Sequence, residues 1–422
     1  MRDHQEFTTT VLSNGITVYT YQDAFPISCV EVILPIGSAH ATAKNGLIAG
    51  SPHLMEHAQL IRSRTYKEPY SLDRVLGIRA GHSNGATHSK ATNHWIDTPT
   101  VEQQFAFEAL IDRVFYPVIE EEDLLTERSV VMNERNQKKF YPGKSKASQY
   151  YYTEFINDVY FPLDQIFGSD QDLQNTTVDI LRDMHATITH SSDIMALAVG
   201  NGDVTPYLNL LSEIKTKPTP LIPSISATAW VHKDFHTVYF DTVAQPRLEV
   251  AWIHPRLEYH EFRALCFIIN LLVNTAQGPL YKEFREEKGW VYGLDGSCLL
   301  REHNTVFSLT FPVNTSTQVD FIRECLLDRI TKALHNQQLI EDEIKRQIGN
   351  QVYAYQTAGT IISGASTDLI NYGVIHTEQE WRETVEAMRD PAWRNYIFET
   401  YLREADMGSA CFMPERRHRP AY

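Results

Sequence analysis

Two periods of apolar positions run along the chain, and the changes from one to the other lay out its elements. Period-two stretches rich in β-branched and aromatic residues read as strands. VLSNGITVYTY (11–21) sets Asn14-Gly15 between two such runs and predicts a hairpin. CVEVILPIG (29–37) predicts a strand closed by Pro35 and Gly37, and IMALAVGNGDV (194–204) one that enters a Gly-rich turn. Helical spacing appears at 52–62, in FAFEALIDRVFY (105–116) and in DLLTERSVVMNERNQKKF (123–140). The pattern then breaks at KTKPTPLIPSIS (215–226), whose three prolines and few large side chains predict a linker. Beyond it the order restarts. HTVYFDT (236–242), LEVAWIHP (248–255) and VFSLTFPVN (306–314) read as strands, while EFRALCFIINLLVNTA (261–276) and QVDFIRECLLDRITKALHN (318–336) read as helices. An α+β fold of two related domains follows, 1–214 and 227–422 joined by 215–226. Identity between the halves is too low to establish a duplication.

Composition narrows the class. At 422 residues, with 43% hydrophobic and 22% charged, the chain can bury more than one core. A net charge of -15 argues against nucleic acid and anionic membranes as partners. No run of 18 apolar residues predicts a membrane span, and the opening MRDHQEFTTT has no apolar signal core, so a cytoplasmic protein is expected. Five scattered cysteines, none in a CxxC, suggest neither a disulfide framework nor a thiolate zinc site.

The densest chemistry lies in GSPHLMEHAQL (50–60). Ser51 is the expected N-cap, with Pro52 at the first helical position. His53, Glu56 and His57 then share one helical face. Two imidazoles one turn apart can hold one zinc ion and leave positions open, and a carboxylate beside them can act as base. By itself the stretch fits equally a solvated helix face with two histidines.

His53-Leu54-Met55-Glu56-His57 is the inverted H-x-x-E-H order. Glu134 follows His57 by 77 residues, and Glu127 precedes Glu134 by seven. In these features the chain resembles the insulinase/pitrilysin family of zinc metallopeptidases. The resemblance implies His53, His57 and Glu134 as ligands of one zinc ion per chain, Glu56 as base, and Glu127 as support for the centre. It extends to AGHSNGAT (80–87), similar to the family's edge strand, which implies that Asn84, Gly85 and Ala86 bind substrate as an added strand. His82, His88 and His94 are expected not to be ligands. YKEFREEKGWVY (281–292) places Arg285 and Tyr292 seven apart, as in the family's Arg–Tyr pair that contacts substrate and steadies the oxyanion.

The resemblance implies a mainly antiparallel sheet against helices in each domain, together one bowl-shaped half of a clamshell. Arg285 and Tyr292 would then complete the site of a partner, so a homodimer is expected, or a heterodimer with a related subunit. The expected activity is hydrolysis of small or unfolded peptides in a closed chamber; the alternative is a non-catalytic or partner-dependent subunit of a peptide-processing complex. Two features depart from the common pattern: Ala58-Gln59-Leu60-Ile61 is unusually polar, and Gly46 to Pro52 is longer than usual. Gly-x-Pro-His is similar to the presequence-degrading branch instead.

Overall fold

The computed structural model describes residues 6–140, 155, 166–217, 234–240, 245–273, 278–301 and 303–414. Residues 218–226 of the expected linker lie outside them. In chain order the first elements are β1 (Thr8–Val11), β2 (Thr17–Gln22), β3 (Ile27–Leu34), α1 (Ser51–Ile61), α2 (Ser71–Ile78), β4 (His82–Thr87), β5 (Thr92–Pro99), α3 (Gln103–Phe115) and α4 (Glu121–Phe140). Then come α5 (Asp170–Asn175), α6 (Val178–Ile188), β6 (Met195–Gly200) and α7 (Thr205–Ser212). The later elements are β7 (His236–Phe240), β8 (Arg247–Pro255), α8 (Tyr259–Leu272), β9 (Asp295–Leu300), β10 (Asn304–Pro312), α9 (Ser316–His335) and α10 (Gln337–Ala354). The last are α11 (Ala358–Tyr372), α12 (Glu378–Glu386), α13 (Pro391–Tyr401) and β11 (Gly408–Pro414).

These elements fall into two compact units, each a sheet packed against helices. The first takes in β1 to α7, with α4 as far as Asn136, and also Val352–Thr377, which carries α11; the second takes in β7 to α10 as far as Gln351 and everything from Glu378. A single cut of the chain therefore does not separate them.

In the first unit the strand order is β1-β2-β6-β3-β5-β4. β2 and β6 run parallel and every other pair is antiparallel. The Asn14-Gly15 turn forms as expected: Gly15 has φ 90°, and Asn14 donates to the carbonyls of Leu211 and Ile214 at 2.8 Å each. β3 is buried from Ser28 to Leu34 because helices cover both of its faces. Val30, Val32 and Leu34 share a core with Phe107, Leu110 and Val114 of α3. Cys29 and Ile33 share another with Ile361, Ile362, Ala365 and Leu369 of α11. Fully burying each such side chain contributes about 1.5–3 kcal/mol. Coverage on both faces is why β3 reads as a nearly continuous apolar run.

In the second unit the order is β7-β11-β8-β10-β9, again with one parallel pair, β7 and β11. Leu248, Val250, Trp252, Phe307 and Phe311 pack in one core with Leu265, Ile268 and Leu272 of α8 and Ile322, Leu326 and Ile330 of α9.

Strand for strand, β7 to β11 repeat the chain order, spatial order and pairing sense of β2 to β6. Setting Val30-Glu31-Val32 on Leu248-Glu249-Val250 fixes the register. Glu31 pairs with Trp95 and Trp95 with Asn84; Glu249 pairs with Thr310 and Thr310 with Asp295. Asn84-Gly85-Ala86-Thr87 then coincides with Asp295-Gly296-Ser297-Cys298, and the glycines match. The repetition that identity leaves undecided is thus carried by strand order and register.

Candidate active site

α1 begins one residue earlier than expected. Its N-cap is Gly50, at φ 81°, and Ser51 lies inside the helix, wholly buried. Glycine is required twice over: the backbone is left-handed, and a Cβ would overlap the backbone of Phe167 and Gly168. The long flank before Pro52 is therefore a packing surface for the 166–168 segment. Phe167 in turn presents an edge contact to the His53 ring, with centroids 4.9 Å apart.

On α1, His53 and His57 sit one turn apart, with ring centroids 4.7 Å apart at 82°. α4 crosses them and supplies Glu134. His53 Nε2 and His57 Nε2 lie 3.6 and 3.7 Å from Glu134 Oε2. One donor atom from each of the three residues falls within 4.8 Å of the others. Two charge pairs hold α4 at this crossing. Arg62, just past α1, grips Asp123 through two hydrogen bonds, of 2.6 and 3.1 Å. The buried Arg135, next to Glu134, donates to the Gly168 carbonyl and to Asp170.

Two turns back on α4, Glu127 is buried and accepts from His57 Nδ1 at 2.8 Å. Its other oxygen accepts from the Tyr70 hydroxyl. Burial raises the Glu127 carboxyl, but the hydrogen bonds from His57 and Tyr70 outweigh it and leave it below the usual carboxylate range. For His57 the order of effects is similar. Burial lowers the imidazole, the Glu127 and Glu134 carboxylates more than reverse that, and the pKa rises to about 9 without metal. Because the ionised Glu127 is an acceptor, Nδ1 carries the proton it donates, which leaves Nε2 of the neutral ring facing Glu134 with a free lone pair. Two imidazole nitrogens and one carboxylate, with a carboxylate behind one imidazole, make a donor set that fits zinc.

Glu56 is buried and accepts from Thr87 Oγ1 at 2.9 Å. Its carboxylate also lies against β4, where a Cβ at Gly85 would stand 2.9 Å from Glu56 Cγ and Oε1. β4 is the outer strand of the sheet, paired among the described residues only with β5. Alternation along it turns Ser83, Gly85 and Thr87 towards α1, and Asn84 and Ala86 to the other face. Asn84 is exposed and accepts from the Gly85 amide at 2.9 Å.

The polar run after the motif also has an account. Gln59 is buried, donates to the Val114 carbonyl at 3.0 Å, and accepts from His94 Nε2 at 3.0 Å. Burial, with the Arg113 and His185 charges, holds His94 neutral at a pKa of about 3. Arg113 is itself buried and donates to Asp73 at 2.7 Å and Ser83 at 2.6 Å, tying α3 to α2 and β4. Sequence reasoning missed Tyr70, Thr87 and the Gln59–His94 pair.

Arg285 and Tyr292 belong to the second unit. Arg285 lies on a π-helical turn, Lys282–Glu287, and donates to the Tyr292 carbonyl. Its guanidinium sits 4.6 Å from the Tyr292 ring centroid and 5.1 Å from that of Tyr281. The Tyr292 side chain is 86% exposed.

Comparison with known proteins gives the family and the fold. Residues 17–156 match the family described as insulinase (peptidase family M16), and residues 175–351 match its companion, the peptidase M16 inactive domain. A zinc protease, PqqE, of Helicobacter pylori is 24% identical over 241 residues, 53% of this chain and 52% of that protein. A mitochondrial presequence protease of Debaryomyces hansenii is 23% identical over 300 residues, 60% of this chain and 27% of that protein. The match thus spans about half the length of the first curated relative and less of the second. Among solved structures, a protease from Helicobacter pylori superposes with a TM-score of 0.80 at 17% identity, over 97% of this chain and 99% of that one. Pitrilysin superposes with a TM-score of 0.73 at 15% identity, over 100% of this chain and 46% of that one. The chain belongs to the insulinase/pitrilysin family. Among the described residues no helix is long and apolar enough to cross a membrane.

Proposed function

We propose that the chain is a zinc-dependent peptidase that cleaves small or unfolded peptides. The observation that carries this is the convergence of His53, His57 and Glu134, with Glu127 behind His57 and Glu56 held beside them. His53, His57 and Glu134 would hold the zinc. When bound, zinc supplies Lewis acidity, bringing the pKa of a water towards neutrality and polarising a carbonyl.

The chain's own residues do the rest. Glu56 accepts a proton from the attacking water and returns it to the leaving amine nitrogen. Thr87 holds one Glu56 oxygen and so sets how the carboxylate is turned. Glu127 fixes the tautomer and tilt of His57. An extended peptide adds to the free edge of β4 through its main chain, along Asn84, Gly85 and Ala86.

Arg285 and Tyr292 pair a cation with a phenol, which suits a developing oxyanion. We place them in the site of a second copy, giving a homodimer, with a related subunit as the alternative partner. Supporting this is the superposition on pitrilysin, in which the whole of this chain covers 46% of that one.

Metal analysis and peptide cleavage by the purified chain test the proposal together. Wild type should hold one zinc per chain and cut peptides; Glu56→Gln should hold zinc and cut at least 100-fold more slowly. Failure to retain zinc after supplementation refutes the metal assignment. Cleavage that depends on adding a second, related subunit favours the partner-dependent reading.

A further inference from the structure

We propose that His94 is a positioning residue for Glu56, and that it acts through one buried water held between the two side chains. His94 and Gly85 are cross-strand partners on β5 and β4. The glycine leaves its inward face bare, and two polar atoms approach that face. A Cβ at Gly85 would stand 2.9 Å from Glu56 Oε1 and 3.0 Å from His94 Nδ1. The two atoms are thus at most about 6 Å apart, within the reach of one bridging water.

The partners of His94 decide which nitrogen carries its proton. Gln59 Nε2 donates to the Val114 carbonyl at 3.0 Å, so the amide presents its oxygen to His94 Nε2, also at 3.0 Å. That oxygen can only accept, so Nε2 carries the proton. Burial, with the Arg113 and His185 charges, keeps the ring neutral and leaves Nδ1 a bare lone pair. His94 is wholly buried, and its Nδ1 has no hydrogen-bond partner among the described residues. Glu56 Oε1 is an acceptor too, and two acceptors cannot bond each other. A water satisfies both at once, with one O–H to each.

The other Glu56 oxygen has different neighbours. Oε2 accepts from Thr87 at 2.9 Å and lies 4.0 Å from His53 Nε2, on the side of the candidate metal ligands. Thr87 therefore holds the carboxylate at one oxygen and His94, through the water, at the other. Held at both, the carboxylate keeps Oε2 turned towards His53. The second unit shows that the fold itself does not ask for a polar residue at this place. By the strand register Leu309 stands where His94 does, and Gly296 where Gly85 does. A Cβ at Gly296 would meet Ile269, Val273 and Leu309, all apolar. Where the helix offers no carboxylate, the facing strand offers no imidazole.

The consequence for turnover rests on the reading of Glu56 as the base. The tautomer of His94 and the water do not.

Three measurements on the full-length chain test the proposal. NMR of metal-free protein labelled at the histidine ring nitrogens, with His94 identified by its loss in His94→Asn, should show Nε2 protonated and Nδ1 bare and accepting a hydrogen bond. A high-resolution crystal structure should show one water within about 3 Å of both Glu56 Oε1 and His94 Nδ1. In peptide cleavage, two variants divide the roles of the ring. Glutamine can replace Nε2 in the bond to Gln59 but puts nothing at Nδ1; asparagine can put an acceptor at Nδ1 but is too short to reach Gln59. His94→Gln should therefore lower kcat about 10–100-fold with KM and zinc content unchanged, and His94→Asn should keep more of kcat. A residue that only holds the structure together would give the reverse order. That reverse order, a protonated Nδ1, or the absence of a water between the two atoms overturns the proposal. A wild type that binds no zinc and cleaves no peptide overturns the reading of Glu56 as base, while the first two measurements still decide the water site.

Discussion

Removing the Glu127 carboxylate should weaken zinc binding without dismantling the site, and the size of the effect can be worked from its two hydrogen bonds. Glu127 accepts from His57 Nδ1 at 2.8 Å and from Tyr70. In Glu127→Gln the side chain keeps its shape, and its amide oxygen can still accept from Nδ1. What changes is a charged acceptor for a neutral one, worth about 1 kcal/mol at His57. At 1.4 kcal/mol per decade, that is a loss in zinc affinity of about fivefold. Glu127→Ala goes further. It strands a buried N–H and a phenol, and it frees the imidazole to rotate away from Glu134. Loss of such outer partners costs about 10–100-fold in metal affinity. Competition against a chromophoric zinc chelator at fixed pH measures both. Tyr70→Phe, which leaves the carboxylate in place, should fall between wild type and Glu127→Gln. If Glu127→Ala binds zinc within twofold of wild type while remaining folded, the orienting role of Glu127 is wrong.

Three further outcomes follow from the geometry. Zinc must displace the proton that His57 holds up to a pKa of about 9, so apparent affinity should rise about tenfold per pH unit from 6.5 towards 9 and then level off, as isothermal titration can show; a flat profile would contradict it. The linked stability term runs the other way: the folded pKa lies above the unfolded 6.5, so the metal-free protein keeps this contribution below pH 6.5 and loses it as pH rises through about 9. Gly85→Ala should push Glu56 aside, since the new Cβ stands 2.9 Å from its Oε1; kcat should fall about 10–100-fold with zinc content unchanged, measured in parallel assays. Glu31, raised by burial to a pKa of about 7 against hydrogen bonds from Ser366 and Asn93, stabilises the fold below pH 4.5 and loses that contribution as pH rises through 7. The 2.5-unit span corresponds to about 3 kcal/mol, so Glu31→Gln should flatten the fall in denaturant stability between those pH values.

The legible part of the candidate site is the part set by local helical geometry. His53, Glu56 and His57 share a face because of their spacing, and Glu127 and Glu134 do because seven residues make two turns. Tyr70 and Thr87 reach the same carboxylates from other elements. Tyr70 does so from a left-handed backbone position just ahead of α2, at φ 55°, which no spacing rule anticipates for tyrosine. Gln59 looked like an intruder in an apolar run because its partners, Val114 and His94, come from α3 and β5. The same limit applies to the fold. The strand and helix periods were readable, but nothing in residues 358–372 says that this helix packs on Cys29 and Ile33, more than 300 positions upstream. Its apolar face is visible; the choice of sheet is a tertiary decision.

The two units show what one backbone plan requires and what it leaves free. Both put a glutamate at the same point of the second strand, Glu31 and Glu249, and burial pushes each to a pKa of about 7. Both put glycine at the same point of the outer strand, because the helix between the second and third strands approaches too closely for a Cβ. Those positions answer to packing, and packing is common to the two units. What the glycine meets on that helix differs: Glu56 in the first unit, Ile269 and Val273 in the second. Glu56 accepts from the Thr87 hydroxyl there, whereas Ile269 and Val273 offer only apolar contact. A substitution at Glu56 or Thr87 alone would strand the other member of that pair. Removing both members at once, Glu56→Leu with Thr87→Val, should cost the fold less than the sum of the two single changes. A double-mutant cycle on thermal stability measures that coupling; additive single effects would mean that the two positions do not answer to each other.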